Sequence, residues 1–154
     1  MPSITLRPVT RENWLACVEL TVAPDQTEYI ASNVFSLAQA AYQAGLVPLG
    51  VYTRLTEGAD ETLVGFAMYS TLPDEQGRYW IFRLMVGLGY QGRGYGRAMT
   101  QAVIERMRAE IPGLRVIALD FHENNHVAEA LYESLGFAKT GEREGHEIIA
   151  SLAI

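Results

Sequence analysis

Cysteine is almost missing from this chain. Cys17 stands alone among 154 residues, which excludes an internal disulfide and a cysteine-built zinc site. Lysine is nearly as scarce: Lys139 is the single one, and the other eleven basic residues are arginine. No apolar run approaches the ~18 residues that a membrane span requires. The start, Met1-Pro2-Ser3-Ile4-Thr5, lacks a basic region followed by an apolar run, so no signal peptide is expected and the cytoplasm is the default. Positive charge is in deficit, with 12 Lys plus Arg against 18 Asp plus Glu, a net −6. That balance works against broad nucleic-acid binding and favours cations, although solubility alone also accounts for it. Low-complexity stretches, repeats and Pro/Gly/Ser-rich linkers are absent, so residues 1–154 are read as one domain. What remains is 49% hydrophobic and 19% charged, enough to bury a sizeable core.

The patterning is mixed. Ile4 to Val9 alternates as a first strand, with Pro8 marking an edge. Thr10 is placed to cap a helix over about 11–22, with Trp14, Leu15, Val18 and Val22 on one face. Pro24-Asp25 breaks it, and a second helix is expected over about 33–44, capped by Ser32 or Asn33 and stopped by Gly45. Leu49–Leu55, Leu63–Tyr69 and Tyr79–Val86 are strands joined by short turns, an antiparallel meander. After Gly94 the apolar period turns helical through Ala98, Met99, Ala102, Val103 and Met107 until Pro112-Gly113. Val116–Leu119 is a strand, Asn125–Leu135 a helix closed by Gly136, and stretches near 137–142 and 146–153 form a strand pair. A strand, long helix, strand order implies one parallel crossover in an otherwise antiparallel sheet.

The most informative stretch is Gln91-Gly92-Arg93-Gly94-Tyr95-Gly96-Arg97-Ala98, between a strand and a helix N-terminus. Its glycines permit unusual torsions and leave no side chain between the amides and a ligand. First-turn amides lack partners and sit at the positive end of the helix dipole, which suits phosphate. Arg93 and Arg97 are placed to add charge-assisted contacts. Gly87 to Gly92 matches G-x-G-x-x-G literally, but it follows a meander and Glu110 lies at a helix end, which does not suit a dinucleotide fold. A Walker loop fails as well, because Arg93-Gly94 replaces its Lys-Ser/Thr.

Gln91-Gly92-Arg93-Gly94-Tyr95-Gly96 resembles the Q/R-x-x-G-x-G/A motif of the GNAT superfamily of acetyl-CoA-dependent N-acetyltransferases. Asn125 to Phe137 resembles that family's N-x-x-A-x-x-L-Y-x-x-x-G-F. The two motifs stand in the family's order, and the element order matches over essentially the whole chain. The resemblance implies an α/β (α+β) fold: a mixed, mostly antiparallel sheet of about seven strands, its fourth and fifth strands splayed, flanked by about four helices. It implies acetyl-CoA as donor, no metal, and a homodimer. Its amides from Gly92 to Ala98 would hold the pyrophosphate, Leu84, Met85 and Val86 would offer the strand edge to pantetheine, and Asn125 matches a cofactor-contacting position. Asn125 is equally suited to cap its helix.

Acetyl transfer sets further demands. Tyr132 matches the family tyrosine that protonates the leaving thiolate, and a phenol is a competent general acid; the alternative is packing beside Leu131 and Phe137. An amine with a pKa of about 10 is only ~0.1% neutral at pH 7, a cost of roughly 4 kcal/mol, so a base would help. Some family members place a glutamate on the fourth strand, where this chain has Trp80 and Phe82. Asp120 occupies another family spacing for an acid, twelve residues before the tyrosine. A strand-end turn role is its alternative, and His122 and Glu123 are neighbouring candidates. Cys17 is a poor nucleophile candidate, and direct transfer without an acyl-enzyme is expected.

Asn13-Trp14, the Gln26 to Ser36 segment and Tyr79 to Met85 are similar to the bacterial spermine/spermidine (diamine) acetyltransferase branch. That implies a polycationic small-molecule acceptor; no nucleic-acid or membrane partner is expected, given the acidic balance and the lack of a long apolar run. Asp25, Glu28 and Asp120 would attract it, and aromatic faces at Trp80, Tyr29 or Phe35 would hold ammonium groups. Surface solvation for the acids and core packing for Trp80 are the plainer readings. Arg83 on a strand either pairs with a buried acid or sits on an exposed face. Rival acceptors are a protein N-terminus, an aminoglycoside or another small amine. A noncatalytic acyl-CoA-binding module is the rival from another class, and a nucleotide-binding domain is disfavoured by the loop's context.

Overall fold

A computed structural model describes residues 2–27 and 29–154. Seven strands form one sheet in the order β1-β2-β3-β4-β5-β7-β6. They are β1 (Thr5–Pro8), β2 (Leu46–Arg54), β3 (Glu61–Ser70), β4 (Tyr79–Val86), β5 (Val116–His122), β6 (Ala138–Glu144) and β7 (Glu147–Ala153). The helices are α1 (Trp14–Glu19), α2 (Asn33–Tyr42), α3 (Tyr95–Glu110) and α4 (His126–Ser134), with 3-10 turns at Pro24–Gln26 and Leu88–Tyr90. The fold class is the expected one. Every strand pair is antiparallel except β4–β5.

The first helix is shorter than its periodicity predicts. Leu20 is already extended, at φ −67° and ψ 130°. The Leu88 amide donates to the Thr21 carbonyl at 2.7 Å, so tertiary pairing draws the chain after Glu19 toward the glycine loop. The helix proper starts later than expected, at Trp14 after Asn13; Thr10 Oγ1 accepts from the Glu12 amide at 3.3 Å in the turn before it, and the Thr10 amide donates to Asn13 Oδ1 at 2.7 Å. Trp14 and Leu15, expected on the packed face, are half exposed, and Cys17 carries the burial. Ser32 does cap α2, accepting from the Phe35 amide at 3.1 Å.

The sheet separates two apolar layers. On one side Val51, Val64 and Tyr69 pack with Met99, Val103 and Met107 of α3, and with Tyr132 and Phe137. On the other, Cys17, Phe66, Met68 and Met85 lie under the N-terminal segment. Fully buried side chains of this size each contribute roughly 2 kcal/mol, which fixes β3 and β4 as a rigid centre.

That centre has one break. β4 and β5 pair only at Tyr79↔Ile117 and Trp80↔Ala118. Beyond that point the strands part, and the β5-facing edge of residues 81–86 has no ladder partner among the described residues. Backbone groups rarely go unpaired when buried, so an opening here must admit water or a ligand.

Candidate active site

A cleft of about 760 Å³ occupies this opening. Leu84, Met85 and Val86 line one wall, and Asp120, Phe121 and His122 line the other. β3 holds the β4 wall from behind through Ala67↔Leu84, Phe66↔Met85 and Gly65↔Val86.

The glycine loop closes one end. Gly92 and Gly94 have φ of 76° and 85°, a region that other L-residues resist. A Cβ on Gly92 would meet nothing within 4 Å, so the torsion and not crowding accounts for glycine there. Gly94 precedes the first turn of α3 and supplies no side-chain cap, which leaves first-turn amides free for an anion. Gly92, Gly94 and Gly96 all border the cleft. Gln91 turns inward, its Nε2 donating to Val86 O at 3.1 Å and Gln26 Oε1 at 2.8 Å. The arginines do not turn inward. Arg93 is exposed at the loop tip, and Arg97 donates to Ser134 Oγ on α4 at 2.7 Å. Ala98 is buried, and its amide already donates to Gly94 O at 3.2 Å. The loop thus presents backbone, with its charged side chains directed elsewhere. These features, with the unpaired β4 edge, fit the phosphates and amides of coenzyme A.

Tyr132 borders the cleft from α4 and is only 9% exposed. Its ring lies 6.0 Å from those of Phe121 and Phe137, so packing fixes its direction. Its hydroxyl has no hydrogen-bond partner among the described residues. Burial, and secondarily the Asp120 charge, push its pKa up to about 12, so the phenol keeps its proton at neutral pH. Asn125 caps α4 by accepting from the Ala128 amide at 3.2 Å, and it also lines the cleft.

Asp120 faces the cleft and is accessible from it. The crowded walls disfavour its charge and raise its pKa, Arg83 opposes that, and Glu144 adds to it. Arg83 makes no ion pair with Asp120. Its Nε donates to Ser36 Oγ at 3.0 Å, and its terminal nitrogens donate to Gln39 Oε1 and Phe82 O. The guanidinium lies 5.8 Å from the Phe35 ring centre. Arg83 therefore anchors α2 to β4, which is neither of the two roles its sequence position suggests.

Asp25 reaches the cleft from the first 3-10 turn. Glu28 lies outside the described residues. Trp80 is a correction, because it does not line the cleft. It sits where β4 still pairs with β5, before the strands part. Its indole Nε1 donates to Asp74 Oδ2 at 2.9 Å, under the Arg78 guanidinium at 5.2 Å. Phe82 and Tyr29 supply the aromatic wall instead, with Tyr29 4.8 Å from His122. Cys17 is fully buried, and burial pushes its thiol up to about 11, so it is no nucleophile.

Glu147 also lines the cleft, and sequence reasoning missed it. It opens β7 directly across from His122. A strand-initial glutamate carries no signal until its cross-strand partner is known.

A family model described as acetyltransferase (GNAT) family matches residues 14–137. The chain is 37% identical over 145 residues to the spermine/spermidine N(1)-acetyltransferase of Bacillus subtilis, covering 91% of each. It is 30% identical over 116 residues to the [ribosomal protein bS18]-alanine N-acetyltransferase of Haemophilus ducreyi, covering 69% of this chain and 74% of that one. Among solved structures, spermidine N-acetyltransferase from Vibrio cholerae in complex with CoA and spermine superposes with a TM-score of 0.72 at 17% identity, covering 98% of this chain and 94% of that one.

Proposed function

The chain belongs to the acetyltransferase (GNAT) family, and from that premise we propose that this acetyl-CoA-dependent N-acetyltransferase acetylates a primary amine of a polyamine such as spermine or spermidine. One observation carries the acceptor class. Asp25 and Asp120 enter the cleft without an ion-pair partner among the described residues, beside the aromatic faces of Tyr29 and Phe82. A chain of ammonium groups answers both features. The 37% identity to the Bacillus enzyme supports the same reading.

Acetyl-CoA supplies an activated thioester. Gly92 to Arg97 would hold its pyrophosphate through backbone amides, the Ala98 amide being committed to Gly94 O, and the free edge at Leu84 to Val86 would hold its pantetheine amides. Asp120 receives, directly or through water, the proton that the ammonium must lose before its nitrogen can attack. The nitrogen lone pair then forms the new N–C bond as the C–S bond breaks. The departing sulfur takes a proton from Tyr132, and the second proton shed by the acylated nitrogen restores that phenol. A phenol near 12 is a weaker acid than a thiol near 8.5, so its gain comes from a hydrogen bond that strengthens as charge builds on sulfur. Asp25 attracts the acceptor, and Glu28 is proposed with it on sequence position alone. We place the enzyme in the cytoplasm as a single-domain chain on its sequence, and the family resemblance implies a homodimer.

The test is thiol release from acetyl-CoA with a panel of amines. Release with spermidine and spermine, well above that with aminoglycosides or an N-terminal alanine peptide, is the expected result. Release with the peptide alone would replace this reading with protein N-terminal acetylation, which the Haemophilus relative favours. Acetyl-CoA binding without release to any amine would point to a noncatalytic module.

A further inference from the structure

We propose that Glu147 determines acceptor specificity: its carboxylate holds a second ammonium group of the acceptor, so the cleft selects diamines and longer polyamines over monoamines. This rests on the polyamine reading above.

The placement follows from strand register. Glu147 pairs with His122, and Asp120 lies two residues back along the same strand. Alternate residues share a face, so Asp120, His122 and Glu147 project together into the cleft. Diagonal neighbours across antiparallel strands lie about 7 Å apart. That suits two ammonium groups joined by a trimethylene or tetramethylene spacer.

No cation pairs directly with Glu147 among the described residues, although His122 and His146 act on its charge. Glu147 is half-buried and has no hydrogen-bond or ion-pair partner among the described residues. Arg143 and His146, the latter at 2.9 Å, are both engaged by Glu123. Arg83 is bound to Ser36, Gln39 and Phe82 O. Asp120 and Glu144 carry the same sign as Glu147. His122 faces it, with Nδ1 already accepting from the Asn124 amide at 3.1 Å. Burial first, and then the Asp120 charge, raise the Glu147 pKa. A cation in the cleft would relieve both carboxylates together.

A separate observation marks the reacting end. The Tyr132 hydroxyl, on a side chain nine-tenths buried, opens into the same cleft with no partner among the described residues. Asp120, Tyr132 and Glu147 all border the cleft, and Glu147 sits diagonally across from Asp120 in the β5–β7 register: the reacting nitrogen belongs near Tyr132 and Asp120, and the next nitrogen near Glu147. Tyr29, stacked on His122 at 4.8 Å, walls the path between the two.

Steady-state kinetics on the full chain would decide this, using spermidine, butane-1,4-diamine and butylamine as acceptors. Glu147→Gln should raise KM for spermidine and the diamine about tenfold, the loss of one partly buried charge contact, with kcat within about twofold. Butylamine KM should not move, so the diamine preference collapses, and Glu147→Asp should recover part of it. Coenzyme A affinity, read by calorimetry, should match the wild type; if Glu147→Gln fails that check, Glu147→Ser is judged by the same criteria. An undiminished diamine preference in the variant would overturn the role of Glu147 and leave the polyamine reading standing. A wild-type enzyme that turns over neither polyamine would overturn both.

Discussion

Gln91 reaches from the glycine loop to Gln26 in the N-terminal segment, 2.8 Å from Nε2 to Oε1. The same Nε2 donates to Val86 O at the end of β4, and Gln26 Oε1 also accepts from the Ala23 amide. One amide pair thus joins the donor loop, the splayed strand and the turn that presents Asp25. A double-mutant cycle with Gln26→Leu and Gln91→Leu should show strong non-additivity in thermal unfolding, with a coupling of about 1 kcal/mol. Each single variant should raise KM for both substrates. Additive effects would mean that the two side chains do not act as a unit.

Removing the phenolic oxygen tests Tyr132 as the proposed proton donor. Tyr132→Phe keeps the ring that packs between Phe121 and Phe137, so stability should be nearly unchanged. Turnover should fall on the order of 100-fold, with coenzyme A affinity near wild type by calorimetry. Wild-type turnover would remove Tyr132 from the mechanism.

The glycine loop can be tested by bulk. Gly94 sits at φ 85° on the border of the cleft. A Cβ alone would meet only Pro2, at 3.5 Å, so alanine would cost mainly torsional strain, roughly 1–2 kcal/mol. Gly94→Trp adds a ring beside the amides and should weaken coenzyme A binding at least about tenfold. Unchanged binding would place the pyrophosphate elsewhere.

Asp120 should reduce the stability of the enzyme that uses it. Its pKa is raised in the folded state, chiefly by burial, so the native protein binds this proton more tightly than the unfolded chain. Stability therefore falls as pH rises from the unfolded value, about 3.9, through the folded one, and the deficit persists at neutral pH. Asp120→Asn should raise the melting temperature slightly at pH 7 and leave it unchanged near pH 3, while cutting turnover. A lower melting temperature at pH 7 would show that Asp120 holds the fold together.

Period and punctuation made the meander, the long helix and the crossover legible before the structure, because each is a local pattern. The backbone of the glycine loop was legible for the same reason: glycine spacing states a torsional requirement directly. The acceptor side was not. α1 ends early because Leu88 captures Thr21, a contact made across the fold. Trp80 fell on the paired side of the β4–β5 junction and Glu147 on the open side, and only the register of two distant strands separates them. The direction of the Arg97 side chain was equally illegible, since Ser134, which holds it, belongs to another helix.

The proposed seat of the donor at the two-rung junction of β4 and β5 would make it a structural component as well as a reactant. Bound along the open edge, its amides would take the places that ladder partners fill elsewhere in the sheet. The native state then gains RT ln(1 + [L]/Kd) with donor concentration, about 2.7 kcal/mol at a hundredfold excess over Kd. Backbone amides of residues 81–86 would slow their hydrogen exchange as coenzyme A is added. In a cell, the lifetime of this protein would then follow the supply of the molecule it consumes.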